Sequence, residues 1–180
     1  MKIIAVYGSA DKQGKSASVA NEVVRGAQDA GHEVTQCFVN DMLIRGCQGC
    51  MGCRQGNCDC VYEDDLKPYW EKLHEADALI LSGPNHAGQI CGPMITYMNR
   101  HYCLLDSDWK PRIHPGIKVV GVFSQGQPSE EAYRQVYDKY LADFENRKMV
   151  VDSVLIAAGR EPLVAGDGLL QKAYEVGKNL

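Results

Sequence analysis

The sequence predicts an α/β fold, one parallel sheet with helices on both faces. Two observations predict it. Short runs of β-branched and aliphatic residues alternate with stretches of helical periodicity along all 180 residues, the pattern of repeated strand–helix–strand units. The apolar runs are also continuous, as strands buried on both faces require. The length suits a single domain, residues 1–180, with a cysteine-rich loop at about 41–63.

The elements follow in order. Residues 2–7 (KIIAVY) form the first strand, bounded by Gly8 and Ser9. Residues 16–30 place Val19, Val23, Ala27 and Ala30 on one helical face, and Gly31 suits the helix end. Residues 33–39 (EVTQCFV) form the second strand, and the stretch after it holds too many glycines for a regular element. Asp64 and Asp65 open a helix running to about residue 76. Acidic residues favour the dipole of a first turn, and Pro68 is tolerated near it. Strands follow at 78–82, 118–123 and 150–157, with helices at 93–103, 129–147 and 168–177. Five strands in this alternation give a flavodoxin-like three-layer sandwich of order 2-1-3-4-5.

The formal net charge is −4, without the basic footprint of nucleic-acid binding. The apolar run at the start spans six residues, too few for a signal-peptide core or a membrane span, and no other window approaches a spanning length. The expected setting is the cytoplasm, with no membrane partner. There, clustered cysteines more often bind metal or do redox chemistry than form structural disulfides.

In open α/β sheets, ligands sit beyond the carboxyl ends of the strands. Three loops qualify: those after the first, third and fourth strands. The first, GSADKQGKS, resembles a nucleotide P-loop, but Gly8 and Gly14 enclose five residues where that motif has four. Ser9, Lys12, Lys15, Ser16 and Ser18, with N–H groups at a helix start, still form a donor-rich cradle for a phosphate. The plain alternative is a polar turn capped by Ser16. In the second, GPNHAGQICG, Pro84 stiffens the strand exit, while Gly88 and Gly92 permit a flat ligand close to the backbone. The third is SQGQ, residues 124–127. His86 reads equally as a proton donor near a ligand or a packing residue. His32, His74, His101 and His114 are expected at the surface or at element boundaries.

Five of the eight cysteines fall in CQGCMGCRQGNCDC, residues 47–60. The C-x2-C-x2-C run of Cys47, Cys50 and Cys53 is the opening of bacterial ferredoxin motifs. It supplies three ligands of a [4Fe–4S] cubane, with Cys58 or Cys60 as the fourth. Zinc is the weaker match, since structural zinc sites usually use two separated cysteine pairs. A disulfide is disfavoured by the compartment, and a loop that holds no cluster is the remaining reading. Cys37, Cys91 and Cys103 are expected to be packing residues.

These segments together resemble the NAD(P)H-dependent FMN reductase superfamily over almost the whole chain. YGSADKQGKSA resembles its phosphate loop, PNHAGQICGPM its second flavin loop, and CQGCMGCRQGNCDCVYEDDL the compact cysteine motif of its iron–sulfur flavoprotein branch. The resemblance implies noncovalent FMN and homodimers or homotetramers. Carried over by position, Ser9, Lys12, Lys15, Ser16 and Ala17 would hold the phosphate. Pro84, Asn85, His86, Ala87 and Gly88 would lie along the isoalloxazine, and Ser124, Gln125 and Gly126 would close the other side. The four-residue gap to Cys58 matches the family's cysteine spacing best. Lys15 stands where the family usually has Asn, Ala10–Asp11 (10–11) where it has Pro–Arg, and His86 where it has Tyr. A lysine can still pair with phosphate, whereas Asp11 opposes it.

The expected function is FMN-dependent electron transfer between a [4Fe–4S] cluster and flavin, with no side chain assigned as catalytic. Ferredoxin, NAD(P)H and quinones are the expected donors and acceptors. A cluster-free NAD(P)H-dependent FMN or quinone reductase is the rival. A non-enzymatic module binding zinc and phosphate is the alternative from another class.

Overall fold

The computed structural model describes residues 1–56 and 58–180. Five strands pair in parallel: β1 (Lys2–Tyr7), β2 (Glu33–Phe38), β3 (Ala78–His86), β5 (Lys118–Ser124) and β6 (Val150–Ala157). A two-residue β4 (Gln89–Ile90) pairs antiparallel with β3 alone. The order β2-β1-β3-β5-β6 is the expected 2-1-3-4-5 sequence of parallel strands with one short strand added at the side. No described helix is long and apolar enough to cross a membrane.

Helices cover both faces. On one side α1 (Lys15–Asp29) and α6 (Gly168–Lys178) pack over Ile3, Ala5, Ile80 and Val122. On the other, α3 (Lys67–Leu73), α4 (Gly92–Arg100) and α5 (Arg134–Glu145) cover Ile4, Leu79, Leu81 and Phe123. Alternate residues of each strand thus enter opposite cores, which is why the runs contain few polar residues. The first pair of helices crosses very closely. A Cβ on Gly177 would lie 1.8 Å from the Val23 carbonyl oxygen, and one on Gly26 would lie 2.0 Å from that of Tyr174. Only glycine fits either position, so two residues that weaken isolated helices create this contact.

Several expectations change. The third strand continues four residues past 82, because Gly83 and Pro84 keep pairing with Phe123 and Ser124 of β5. What reads as a loop is a β3–β4 hairpin whose two turn residues, Ala87 and Gly88, have φ of 52° and 78°. Positive φ at both positions matches the right-handed twist of the strands, and the Asn85 side-chain oxygen accepts from Gly88 N–H at 3.0 Å. The helix expected from Asp64 begins at Lys67. There the Asp64 carboxylate accepts from Leu66 N–H at 3.2 Å. The helix expected to start at 129 divides into a 3-10 turn, Glu130–Tyr133, and α5. The cysteine stretch contains a short α2 (Gly52–Gln55), which its glycine content had argued against. His101 is not a boundary or surface residue, because it is fully buried beside Tyr69, Tyr97 and Phe144. Burial first, then the Arg147 charge, pushes its pKa well below the ordinary value, so it is a neutral hydrogen-bonding core residue. Tyr69 Oη lies 2.8 Å from its Nε2.

Candidate functional site

At the carboxyl edge of the sheet lies a cavity of 450 Å³, within the range of about 300–1,000 Å³ for small-molecule sites. Its walls come from the ends of β1, β3, β5 and β6, so the parallel ladder fixes the backbone there. Ser9, Lys15 and Ser16 form the end near α1, and Pro84, Asn85 and His86 form the side near the hairpin. Ser124, Gln125 and Gly126 close the opposite side. Nine of the thirteen residues expected at a cofactor therefore meet in one cavity. Lys12, Ala17, Ala87 and Gly88 do not line it. Lys12 pairs with Asp41 at 2.6 Å and sits over the Phe38 ring, while Ala17 is buried on the inner face of α1. Ala87 and Gly88 are taken up by the hairpin turn.

The roles divide. α1 opens at Gly14 with no side-chain cap and no acidic residue in its first turn. Its first N–H groups have no acceptor within the helix and face the positive end of the dipole, a ready anion site. The Lys15 ammonium donates to the carbonyls of Ala158 at 3.1 Å and Gly159 at 2.9 Å. It adds positive charge to the cavity and ties the first loop to the one after β6. The Gln125 amide is committed inside the protein. It donates to Ser129 O at 2.6 Å and accepts from Tyr137 Oη at 2.8 Å. Gln125 thus shapes the 124–129 loop and leaves the exposed Gly126 backbone toward the cavity. Burial raises the Tyr137 pKa to about 12, so this hydroxyl remains a donor at neutral pH. Asn85 Nδ2 is buried near Tyr137 and makes no hydrogen bond of normal geometry. A buried donor left unpaired costs about 1–3 kcal/mol, so this atom invites a ligand acceptor.

Five lining residues lie outside those thirteen: Ala10, Asp11 and Gly14, in the first loop, and Gly159 and Arg160, in the loop after β6. Arg160 lies over Gly126, with its Nε 3.7 Å from where a Cβ there would sit, and it has no ion-pair partner among the described residues. The signal was available, because the rule about strand ends applies to the fifth parallel strand as well.

The cysteines form a second region. Cys47, Cys50, Cys53 and Cys60 ring a hollow of 20 Å³. Arg100 and Cys103 also line it. Cys58 instead faces a separate cleft with Asp59, His74 and Arg112. Cys47, Cys50 and Cys58 are exposed, Cys60 is half-buried, and Cys53 is buried. Burial first, then the neighbouring Cys60, raises the Cys53 pKa, while Arg112 opposes that shift. Cys37, Cys91 and Cys103 are buried, as packing residues would be. Among the described residues no three His, Cys, Asp or Glu side chains are gathered closely enough to hold a metal ion.

Three arginines hold this loop. Arg112 Nη2 donates to the carbonyls of Cys58 and Cys103. Arg54 donates to Asp106 O at 2.6 Å and stacks on Trp109 and Tyr102. Arg100, 2% exposed, donates to Arg45 O at 3.0 Å and pairs with Asp64. Burial works against the Arg100 charge, but Asp64 and Cys60 beside it leave its pKa raised.

The model of the NADPH-dependent FMN reductase family matches residues 1–154. An iron-sulfur flavoprotein of Archaeoglobus fulgidus is 30% identical over 128 residues, 67% of this chain and 62% of that protein. The match thus spans less than two thirds of that relative's length. An iron-sulfur flavoprotein of Methanocaldococcus jannaschii is 29% identical over 144 residues, 78% of this chain and 71% of that protein. Among solved structures, an NAD(P)H:quinone oxidoreductase from Methanothermobacter marburgensis superposes with a TM-score of 0.71. It has 16% identity and covers 99% of this chain and 96% of that one.

Proposed function

The chain belongs to the NADPH-dependent FMN reductase family, and from that premise we propose that it binds FMN in the strand-end cavity and exchanges electrons with an iron–sulfur cluster in the cysteine loop. The single observation that carries the flavin half is the cavity itself, where an uncapped helix start, an unpartnered Asn85 donor and a free guanidinium face one space. The first-turn N–H groups of α1, with Ser9, Ser16 and the charges of Lys15 and Arg160, would hold the phosphate. Asn85 Nδ2 would donate to a polar edge of the ring, and Pro84 and Gly126 would bound its faces. Lys12 would act at longer range, because Asp41 holds it at the rim. Ala17, Ala87 and Gly88 support the cavity from behind or from the turn. Bound FMN supplies two-electron chemistry with a nicotinamide donor and single-electron chemistry with a cluster. The protein's part is placement and charge, and no side chain is assigned a proton transfer.

For the cluster, Cys47, Cys50 and Cys53 are proposed as ligands, in keeping with their spacing. Cys60 is proposed as the fourth in place of Cys58, because Cys60 shares their hollow and Cys58 faces another cleft. Four loop thiols, with no carboxylate or histidine among the residues lining the hollow, suit iron–sulfur chemistry. The hollow is smaller than a cubane, so the exposed side with Cys47 and Cys50 is the side that yields on loading. The relatives' names support this reading. Zinc remains the weaker match, since structural zinc sites usually use two separated cysteine pairs.

Anaerobic purification and reconstitution, with FMN, iron and sulfide counted per chain, tests both halves. One FMN with about four iron atoms is expected. One FMN without iron leaves the cluster-free NAD(P)H-dependent reductase, and a colourless protein removes the whole reading.

A further inference from the structure

We propose that Arg100 is the positioning residue of the thiolate site, holding Cys60 and setting the reduction potential of the cluster that this ring of cysteines would bind. The inference rests on the cluster reading above and concerns a residue outside the four ligands.

Arg100 lines the same hollow as Cys47, Cys50, Cys53 and Cys60. Its guanidinium is nearly inaccessible to solvent, at 2% exposure. The two terminal nitrogens are engaged: Nη1 donates to Arg45 O and to Asp64, and Nη2 donates to Asp64 at 3.3 Å. The third donor, Nε, is buried and has no partner. An arginine cannot release its charge, so a buried N–H of this kind calls for an acceptor. The Cys60 sulfur lies beside Arg100 in the hollow, and a thiol becomes a strong acceptor as a thiolate bound to iron. The other two arginines also keep unpartnered N–H groups, but neither lines the hollow: Arg54 donates to Asp106 O and stacks on two aromatic rings, and Arg112 donates to the Cys58 and Cys103 carbonyls.

The charge argument gives a sign. A cluster with four thiolate ligands is anionic, and reduction adds one more negative charge. A buried cation at its edge stabilises the reduced form more than the oxidised form, and solvent screens this little at such burial. Hydrogen bonds to cluster sulfurs and local charge are recognised determinants of potential. Asp64, which pairs with Arg100 and does not line the hollow, opposes the effect. Removing the cation and removing its anionic partner should therefore move the potential in opposite directions. A merely structural ion pair gives no such pair of signs.

The test is an EPR-monitored redox titration of the anaerobically reconstituted full chain, with iron and FMN counted in every sample. In Arg100→Gln the ratio of reduced to oxidised cluster at the wild-type midpoint should fall at least tenfold, which is 59 mV for one electron. Arg100→Lys should fall less, because charge is kept and the fork is lost. Asp64→Asn should shift the midpoint upward. Arg100→Gln with full iron and an unchanged midpoint overturns the inference. If Arg100→Gln keeps FMN but loses iron while Arg100→Lys keeps both, the positioning role is supported. If Arg100→Gln fails to fold, Asp64→Asn decides, and no upward shift overturns the proposal. A wild-type chain that binds FMN but takes up no iron overturns the cluster reading itself, and this inference with it.

Discussion

The cavity rim and the cysteine loop are held in place by different forces. Each wall of the cavity continues a strand of one parallel ladder, so its backbone positions follow from the sheet. The cysteine loop has one four-residue helix and is tied down by side chains, chiefly Arg54, Arg100 and Arg112 reaching backbone carbonyls. A rim built on strands keeps its shape with or without a ligand. A loop held by arginines is balanced only when acceptors occupy the space they face, and Arg54, Arg100 and Arg112 all keep buried unpartnered N–H groups. The difference implies that the two sites load independently and fail in different ways.

The largest expected effect separates the two regions outright. Cys60→Ser should abolish iron incorporation while FMN stoichiometry stays at one per chain, and Cys58→Ser should leave both intact. Iron and flavin assays on the two purified variants decide this. Iron loss in Cys58→Ser with retention in Cys60→Ser would restore the ligand set that spacing alone suggests.

That contrast also explains what the sequence could convey. The parallel sheet was legible because continuous apolar runs such as KIIAVY and ALILS have few other folded uses. The cavity lining was legible at the strand ends: nine of the thirteen residues expected at a cofactor reach it. Lys12 went astray because a long side chain can choose Asp41, a partner distant in sequence that spacing cannot reveal. Ala87 and Gly88 were read as loop because their turn lacks the usual Asn-Gly signal, and Asn85 supplies the stabilising hydrogen bond from outside it. The choice between Cys58 and Cys60 was not legible. It depends on how the chain leaves α2 and where Arg112 holds it, neither of which is local information.

A scaffold variant should break the independence by acting on both regions together. Gly177→Ala would place a methyl group 1.8 Å from the Val23 carbonyl oxygen. The backbone of α1 would have to move, and overpacking of this kind costs about 1–3 kcal/mol or more. A fall in Tm of roughly 5 °C or more, with parallel losses of FMN and iron, is expected. Unchanged Tm would show that α1 and α6 can separate without disturbing the rim.

Alkaline titration gives an effect of similar or smaller size, confined to the core. Burial raises the Cys37 thiol to about 11 and the Tyr137 phenol to about 12. Both are acids whose folded pKa lies above the unfolded value, near 8.5 for Cys and 10 for Tyr. The unfolded chain therefore loses these protons first, and stability falls as pH rises above about 9. The loss from Cys37 should be on the order of 2–3 kcal/mol by pH 11. In Cys37→Ala, with its own lower starting stability, the decline with pH between 9 and 11 should be shallower in urea melts. An equal slope in the variant would assign the alkaline loss elsewhere.

The smallest expected effect sharpens the rim alone. Arg160 is exposed and comes from the loop after β6. Lys15 is already bonded to two carbonyls, so Arg160 is the cavity cation with the most freedom to approach a phosphate. A charged hydrogen bond contributes about 1.5–3 kcal/mol when well ordered, and exposure places this one near the lower end. Arg160→Ala should therefore weaken FMN binding by roughly tenfold, and Arg160→Lys by less, with the same iron content in both. Fluorescence titration of apoprotein with FMN and with riboflavin tests the assignment. The variant should lose affinity for FMN and keep its affinity for riboflavin, because only FMN carries the phosphate. Equal losses for both ligands would move Arg160 from the phosphate to the ring.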